Sequence, residues 1–135
     1  MCSEIARFAN ATPVGQLKQV ELITDWGSRF SENKDSIFTK NCQHDGYAPG
    51  IAFCGYLMSN TSTEFATINL DRASACLWPG TKGGPSDTDI DHLSIRAWSY
   101  SAKGVDPKIR TGVEFSTESD TSAPTLKIMA ERKTE

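Results

Sequence analysis

Apolar and polar residues alternate with a period of two in four stretches of the chain. That period is typical of β-strands with one buried and one exposed face. In the first stretch, Val20, Leu22 and Thr24 alternate with Glu21 and Asp25. For the C-terminal stretches, helices are the alternative, but glycine and a dense Ser and Thr content disfavour them. The predicted strands are residues 17–26, 92–100, 109–117 and 125–132.

Three other segments show the spacing of amphipathic helices. Residues 3–11 form a short N-terminal helix, and residues 50–59 and 62–76 form a helical pair. The pair is predicted to break in the middle because Thr61 and Glu64 have the spacing of a capping box, which marks a new helix start. The apolar stripe of the N-terminal helix consists of Ile5, Phe8 and Ala9, and that of the last helix consists of Ala66, Leu70, Ala73 and Leu77.

These elements predict an α+β fold in a single domain spanning residues 1–135. About four antiparallel strands form one sheet, and the helices pack on one of its faces. The residues expected to face the helices are Leu93, Ile95, Val113, Phe115, Leu126 and Ile128. The residues expected on the opposite face are Arg96, Trp98, Tyr100, Arg110, Glu114, Lys127 and Met129.

The charge balance argues against a nucleic-acid partner. The 135 residues include 14 basic and 17 acidic side chains, for a net charge of -3. Proteins that bind phosphate backbones are usually basic. The longest apolar run, Ile51–Met58, is too short to span a bilayer. We expect neither a membrane span nor a cofactor.

The four cysteines indicate disulfides and export. Their spacing contains no CxxC pair and does not match a zinc site. Bending of the helical pair favours a Cys42–Cys76 bond, with Cys54 free or paired to Cys2. The sequence shows no signal peptide, so the periplasmic or secreted location is inferred from the cysteines alone. A cytosolic protein with buried free thiols stays the alternative.

A cluster of reactive residue types raises the possibility of catalysis. Cys42, His44 and Asp45 stand almost side by side, although neighbouring side chains point apart and catalytic groups usually converge from distant parts of a chain. The alternative function is therefore a small cysteine-dependent hydrolase using Cys42 or Cys54 with His44. The acidic stretch Asp87–His92 has the spacing of a calcium loop but lacks its glycine and its final glutamate, so no metal site is predicted.

The predicted outer face of the sheet is the best candidate for a binding surface. It combines Arg96, Trp98, Tyr100 and Arg110, and residues of these types dominate interface hot spots. Trp78, in the loop after the last helix, is a second candidate anchor. The expected partner is another protein, and a homodimer is a further arrangement that this composition allows.

A local motif adds a family resemblance. Cys42 is followed by Phe53-Cys54-Gly55-Tyr56-Leu57 and then by Ala75-Cys76-Leu77-Trp78-Pro79-Gly80. This order resembles the cysteine-helix-cysteine core of small periplasmic immunity proteins, the resistance-associated proteins of bacterial type VI secretion systems. The resemblance covers residues 42–80 and implies a self-protection protein that plugs a toxin. We therefore expect a non-enzymatic, exported bacterial protein that acts by occlusion, either as an immunity protein or as an inhibitor of an envelope hydrolase. A structural module of a secreted assembly is a further alternative.

Overall fold

Helices and strands follow the order of the hydrophobic pattern along the chain. The computed structural model describes residues 1–26, 38–63, 65–80, 94–116 and 124–134. Its elements are α1 (Cys2–Asn10), β1 (Leu17–Trp26), β2 (Phe38–Gln43), α2 (Ala48–Asn60), α3 (Ala66–Leu77), β3 (Ser94–Ser99), β4 (Ile109–Ser116) and β5 (Thr125–Arg132). The α+β class is confirmed, as are the helices and the four strands that the alternation predicts.

The sheet has five antiparallel strands in the order β2-β1-β5-β4-β3, one more than the sequence predicts. The additional strand, β2, pairs with β1 at one edge of the sheet. Its alternation is interrupted because Lys40 occupies a position on the face that carries the helices. The Lys40 ammonium donates to the carbonyl oxygen of Thr61 at 2.8 Å, and burial lowers its pKa. A strand that places a lysine on its inner face lacks the pattern of a half-buried strand.

The helices cover one face of the sheet and bury its apolar rows. Helix α2 packs on β1 and β2, α3 packs on β4 and β5, and α1 contacts both other helices. The α3 stripe is buried as predicted. Ile95 is paired with Phe115 but lies on the edge strand and is 37% exposed, while Leu93 lies outside the described residues. Buried together are Val20, Leu22, Val113, Phe115, Leu126 and Ile128.

The break between α2 and α3 is confirmed, but the predicted capping box is wrong. Helix α3 begins at Ala66, about one turn later than position 62, where a cap at Thr61 would place its first residue. The Thr61 hydroxyl instead donates back to the carbonyl oxygen of Leu57 and closes α2. The Asn69 side chain holds the connecting turn by bonding the backbone N–H and C=O of Ser62. A Thr hydroxyl can serve either helix end, and here the preceding helix uses it.

All four cysteines form disulfides, but the predicted pairing is wrong. The bonds are Cys2–Cys76 and Cys42–Cys54, so Cys42 and Cys76 are both oxidised without being linked to one another. The residues before α2 belong to β2, which places Cys42 beneath the buried side of α2, where Cys54 lies. Helix α3 ends beside the start of α1, where Cys2 lies. One disulfide therefore fixes α2 to the sheet, and the other joins the first and last helices.

Candidate protein-binding surface

The face opposite the helices, here called the outer face, is formed by the alternate residues of β1, β3, β4 and β5. Backbone pairing aligns Trp98, Gly112 and Met129 in one row across three strands. No helix in the described part of the chain packs on this face. The contacts that its described side chains make with one another determine its shape.

From the edge strand β3, the Trp98 ring lies over Gly112 of the neighbouring strand β4, because the glycine leaves room for it. A Cβ placed on Gly112 would stand 2.8 Å from Cε3 of Trp98 and 3.0 Å from Cε of Met129. Met129 is only 2% exposed although it belongs to the solvent-facing row. Trp98 itself is half-buried. The indole therefore shields the methionine and presents the remainder of its surface to solvent.

Arg110 contacts Trp98 and two further residues, Glu131 and Tyr100. Its guanidinium carbon is 4.1 Å from the centroid of the Trp98 ring, a distance typical of cation–π contacts. Its Nε donates to Oε2 of Glu131, and its side chain also bonds Tyr100. The hydrogen bond with Glu131, supported by the bond with Tyr100, raises the pKa of Arg110. The cation is therefore permanent and fixed in orientation.

Tyr100 extends this group past the end of β3. It is 59% exposed, and Nζ of Lys133 is 5.1 Å from its ring centroid. We call the group formed by Trp98, Tyr100, Arg110, Glu131 and Lys133 the Trp98 cluster. It combines two aromatic rings with two cations and one carboxylate, so it offers both apolar contact and directional charge.

A row of alternating charges borders the Trp98 cluster. Arg96 and Glu114 are 3.7 Å apart at their closest charged atoms, and Lys127 and Glu21 are 3.3 Å apart. The Arg96 side chain is 64% exposed, so this pair contributes little to stability. Exposed pairs of this kind suit the polar rim of an interface.

The structure thus brings together four of the five predicted binding residues: Arg96, Trp98, Tyr100 and Arg110 all belong to the outer face or its edge. Trp78 does not join them. It caps the C-terminal end of α3 and packs half-buried against the core on the helical side. Sequence reasoning also missed Glu131 and Lys133. Glu131 could have been found from the period of two, since it follows Met129 by two residues on the same strand.

Of the predicted Cys42–His44–Asp45 group, His44 and Asp45 border a small cleft. The cleft has a volume of about 280 Å³ and is lined by Leu17, Lys18, Gln19, His44, Asp45 and Tyr47. His44 Nδ1 accepts a hydrogen bond from the backbone N–H of Gly46 at 3.0 Å. Neither Cys42 nor Cys54 carries a thiol, so the cysteine-dependent hydrolase lacks its nucleophile. A thiolate is the reactive form of cysteine, and a disulfide removes it.

Other candidate sites give no further support for chemistry. The acidic stretch Asp87–Asp91 and His92 lie outside the described residues. Among the residues that are described, no three His, Cys, Asp or Glu side chains are grouped to hold a metal ion. None of the helices in those same ranges is long and apolar enough to cross a membrane.

Comparison of the chain with protein-family models, with curated proteins and with solved structures gives no match.

Proposed function

We propose that this protein is a non-enzymatic, exported bacterial binding protein whose outer face docks on another protein. The observation that carries the proposal is the Trp98 cluster, an aromatic and arginine group on a sheet face against which no helix of the described residues packs. Binding would occlude the functional surface of the partner. The periplasm or the extracellular space is the proposed location.

The composition of the Trp98 cluster supports protein binding. Tryptophan, tyrosine and arginine are the residue types that contribute most to hot spots. The contacts of Arg110 with Trp98 and Glu131 hold both side chains before any partner arrives. Because these rotamers are already fixed, association loses less side-chain entropy than it would with mobile arginines. The exposed ring of Tyr100 and the charge row then surround the anchor.

The two disulfides support export. Structural disulfides persist in oxidising compartments and are rare in the reducing cytosol. Here they join distant parts of the fold, over sequence separations of 74 and 12 residues. A chain of 135 residues that uses every cysteine in this way matches the chemistry of a secreted or periplasmic domain.

The partner class rests on the local resemblance alone. Residues 42–80 resemble the core of periplasmic type VI immunity proteins, and that resemblance motivates a toxin as the partner. The alternative partner that we propose is an envelope hydrolase, which this protein would inhibit. In either case the protein acts by covering an active surface.

Site-specific photocrosslinking tests the proposal. A benzoylphenylalanine in place of Tyr100 samples contacts on the outer face, and the same residue in place of the exposed Arg72 of α3 samples the opposite side. The protein is expressed with export to the periplasm of cells that carry its neighbouring genes. We expect a discrete adduct with one protein from position 100 and none from position 72.

The charge row provides a second readout in the same experiment. Arg96→Glu reverses an exposed charge beside the Trp98 cluster and should reduce the adduct yield from position 100. Equal adducts from positions 100 and 72, or none from position 100, would contradict outer-face binding.

A further inference from the structure

Strand β3 stands at one end of the sheet and, among the described strands, pairs with β4 alone. The backbone N–H and C=O groups that point away from β4 therefore have no strand to bond within the described residues. We call this side of β3, along Ser94–Ala97, the β3 edge. Its first three residues are exposed, so both faces of the strand reach solvent there. Unpaired backbone groups in a row form a template for another extended chain.

The β3 edge lacks the features that normally protect an exposed strand. Proteins block such edges with a proline, a bulge or a charge that points inward. The pairing of β3 with β4 runs without interruption from Ser94 to Ser99, and the strand contains no proline. Its inner side chains are Ile95, Ala97 and Ser99, and its one charge, on Arg96, belongs to the outer face.

The opposite edge of the sheet carries such a protecting charge. Strand β2 places Lys40 opposite the buried Thr24, on the face that carries the helices. The Lys40 ammonium donates to the carbonyl oxygen of Thr61. A strand added beside β2 would bury this charge further, at a cost in desolvation. Of the two edge strands, β3 is therefore the one suited to receive another strand.

The C-terminal end of β3 is fixed before any partner arrives. The Ser99 hydroxyl donates to the carbonyl oxygen of Leu77, the last residue of α3. The same hydroxyl oxygen accepts a hydrogen bond from the backbone N–H of Ser101. One residue earlier, the Trp98 ring lies over Gly112. Because these contacts hold β3 in its extended form, binding at its edge loses little further entropy.

Arg96 indicates which side chain a segment at the β3 edge should carry. The Arg96 side chain is 64% exposed, and its closest approach to Glu114 is 3.7 Å. That separation is longer than the roughly 2.7–2.9 Å of a charge-assisted hydrogen bond. The guanidinium fork can therefore bind a second carboxylate in the closer, bidentate geometry that arginine favours.

Ile95 provides a second requirement, on the other face of β3. Helix α3 packs on β4 and β5, and Ile95 is 37% exposed. Side chains of directly opposed residues in neighbouring strands stand about 5 Å apart. An apolar side chain on an added strand would therefore cover Ile95.

We propose that the partner protein adds one extended segment to the β3 edge, with a carboxylate of that segment on Arg96 and an apolar side chain beside Ile95. Consecutive residues of a strand point to opposite faces, so the segment carries these two side chains at neighbouring positions. In such recognition, backbone hydrogen bonds supply affinity and alternate side chains supply specificity. The inference rests on the proposed function, because it states how the partner reaches Trp98, which belongs to the same strand.

The residues of the strand edges favour a segment of another protein over a second copy of this chain. The net charge of -3 opposes the association of two copies. Neither edge strand, β2 or β3, contains an aspartate or a glutamate. A second copy that paired either strand with the β3 edge would therefore offer Arg96 no carboxylate from that strand.

Photocrosslinking from the β3 edge tests where the partner binds. Benzoylphenylalanine replaces Ile95 in the full chain, and in the control it replaces Ile51, which is 49% exposed on α2. Both proteins are exported to the periplasm of cells that carry the neighbouring genes. We expect an adduct from position 95 with the same protein that position 100 captures, and none from position 51.

The crosslinking results separate this inference from the proposed function. An adduct from position 100 without one from position 95 would overturn strand addition and leave outer-face binding standing. No adduct from either position would overturn both. A crosslink between two copies of this chain at position 95 would overturn the inference in favour of a second copy.

Ile95→Lys tests strand addition by affinity, because it gives β3 the inward charge that β2 already has. Titration calorimetry with the crosslinked protein should show a dissociation constant about tenfold or more above that of the wild type, since the ammonium would be desolvated beneath the added strand. Ile51→Lys, the matched control, should bind as the wild type does. Circular dichroism verifies both folds. Equal affinities of Ile95→Lys and the wild type would overturn the inference.

Hydrogen exchange of the wild-type protein distinguishes strand addition from a contact made by side chains alone. In the free protein, the β3 amides that point away from β4 should exchange rapidly. In the complex they should exchange about tenfold or more slowly, because the added strand accepts hydrogen bonds from them. Unchanged exchange of these amides in the complex would overturn the inference.

Discussion

The indole of Trp98 occupies the space that a side chain at Gly112 would fill. A Cβ on Gly112 would lie 2.8 Å from Cε3 of Trp98, closer than packed carbon atoms approach. The glycine sits inside a β-strand, where it normally weakens the sheet. Its presence is explained by the flat position of the tryptophan, and that position places the ring beside Arg110.

Gly112→Ala should displace Trp98 and destabilise the protein. Overpacking of a filled site costs about 1–3 kcal/mol, and the rigid indole has less freedom to move than Met129. We expect a reduction of that size in the free energy of unfolding, measured by urea denaturation. Tryptophan fluorescence should shift to the red as the ring becomes more exposed.

Gly55→Ala is the matched control for that substitution. Its Cβ would meet nothing within 4 Å, so the gain in helix propensity should increase the free energy of unfolding by about 1 kcal/mol. Both variants and the wild type are measured at the same protein concentration. Equal effects of the two substitutions would contradict the contact between Trp98 and Gly112.

Removal of each disulfide should lower the free energy of unfolding by a different amount. In the chain-entropy description, a loop of 74 residues contributes about 4 kcal/mol and one of 12 residues about 3 kcal/mol. We therefore expect Cys2→Ala with Cys76→Ala to lower the free energy of unfolding more than Cys42→Ala with Cys54→Ala. Urea denaturation of both double variants, without reductant, measures the difference.

The opposite order of stability would contradict the entropic account. For the wild type in reductant, the free energy of unfolding should fall by more than it does in either double variant, because both disulfide-closed loops then open. Intact mass with and without reductant verifies that each variant keeps its remaining bond.

The sheet illustrates which part of a fold can be predicted from one sequence. The alternation of apolar and polar residues revealed β1, β3, β4 and β5 because each of these strands has one buried and one solvent-exposed face. It missed β2, where Lys40 replaces the expected apolar residue on the inner face and bonds Thr61. The predicted Cys42–Cys76 bond rests on bending of the helical pair, and without β2 nothing in the sequence places Cys42 beneath α2, beside Cys54. Disulfide partners depend on contacts distant in sequence, which local periodicity does not contain.

In the candidate site, too, some features could be predicted from local periodicity, while others depend on contacts distant in sequence. The period of two correctly placed Trp98 and Arg110 on the face away from the helices. It could not show that Trp98 shields Met129, because that contact depends on the register between β3, β4 and β5. The half-buried position of Trp78 against the core could not be predicted, because a tryptophan after a helix can face solvent or pack on the core and only the tertiary fold decides.

Thr111→Val should stabilise the protein. The Thr111 side chain is 1% exposed, and its hydroxyl makes no hydrogen bond within the described part of the chain. A buried hydroxyl without a partner carries a desolvation penalty, and valine has nearly the same shape. We expect the free energy of unfolding to increase by about 1 kcal/mol in thermal or urea denaturation. A decrease would show that the hydroxyl has a bonding partner in solution.

Lowering the pH should reduce the stability of the fold, because Asp106 becomes protonated. The backbone N–H of Lys108 and the guanidinium of Arg132 donate to its carboxylate at 2.9 Å and 3.0 Å, and these bonds lower its pKa. A group whose pKa is lower in the folded state stabilises the fold above its unfolded pKa near 4. That contribution declines as the pH falls below about 4 and is lost below the folded pKa.

Asp106→Asn separates this contribution from the other carboxylates. At pH 7 the variant should be less stable than the wild type, and the difference should shrink as the pH falls below about 4. Denaturation curves collected across that range measure both proteins. A difference that stays constant with pH would show that the Asp106 charge is not linked to folding.

The central claim is that the Trp98 cluster binds a protein partner, and titration calorimetry tests it with the protein that the position-100 crosslink identifies. We expect Trp98→Ala and Tyr100→Ala to raise the dissociation constant, the former by about 30-fold or more as for a hot spot, while Arg72→Ala leaves it unchanged. Tyr100 is 59% exposed, so its variant keeps the fold even if Trp98→Ala is destabilised. Binding that is unaffected by both substitutions in folded proteins would contradict the account.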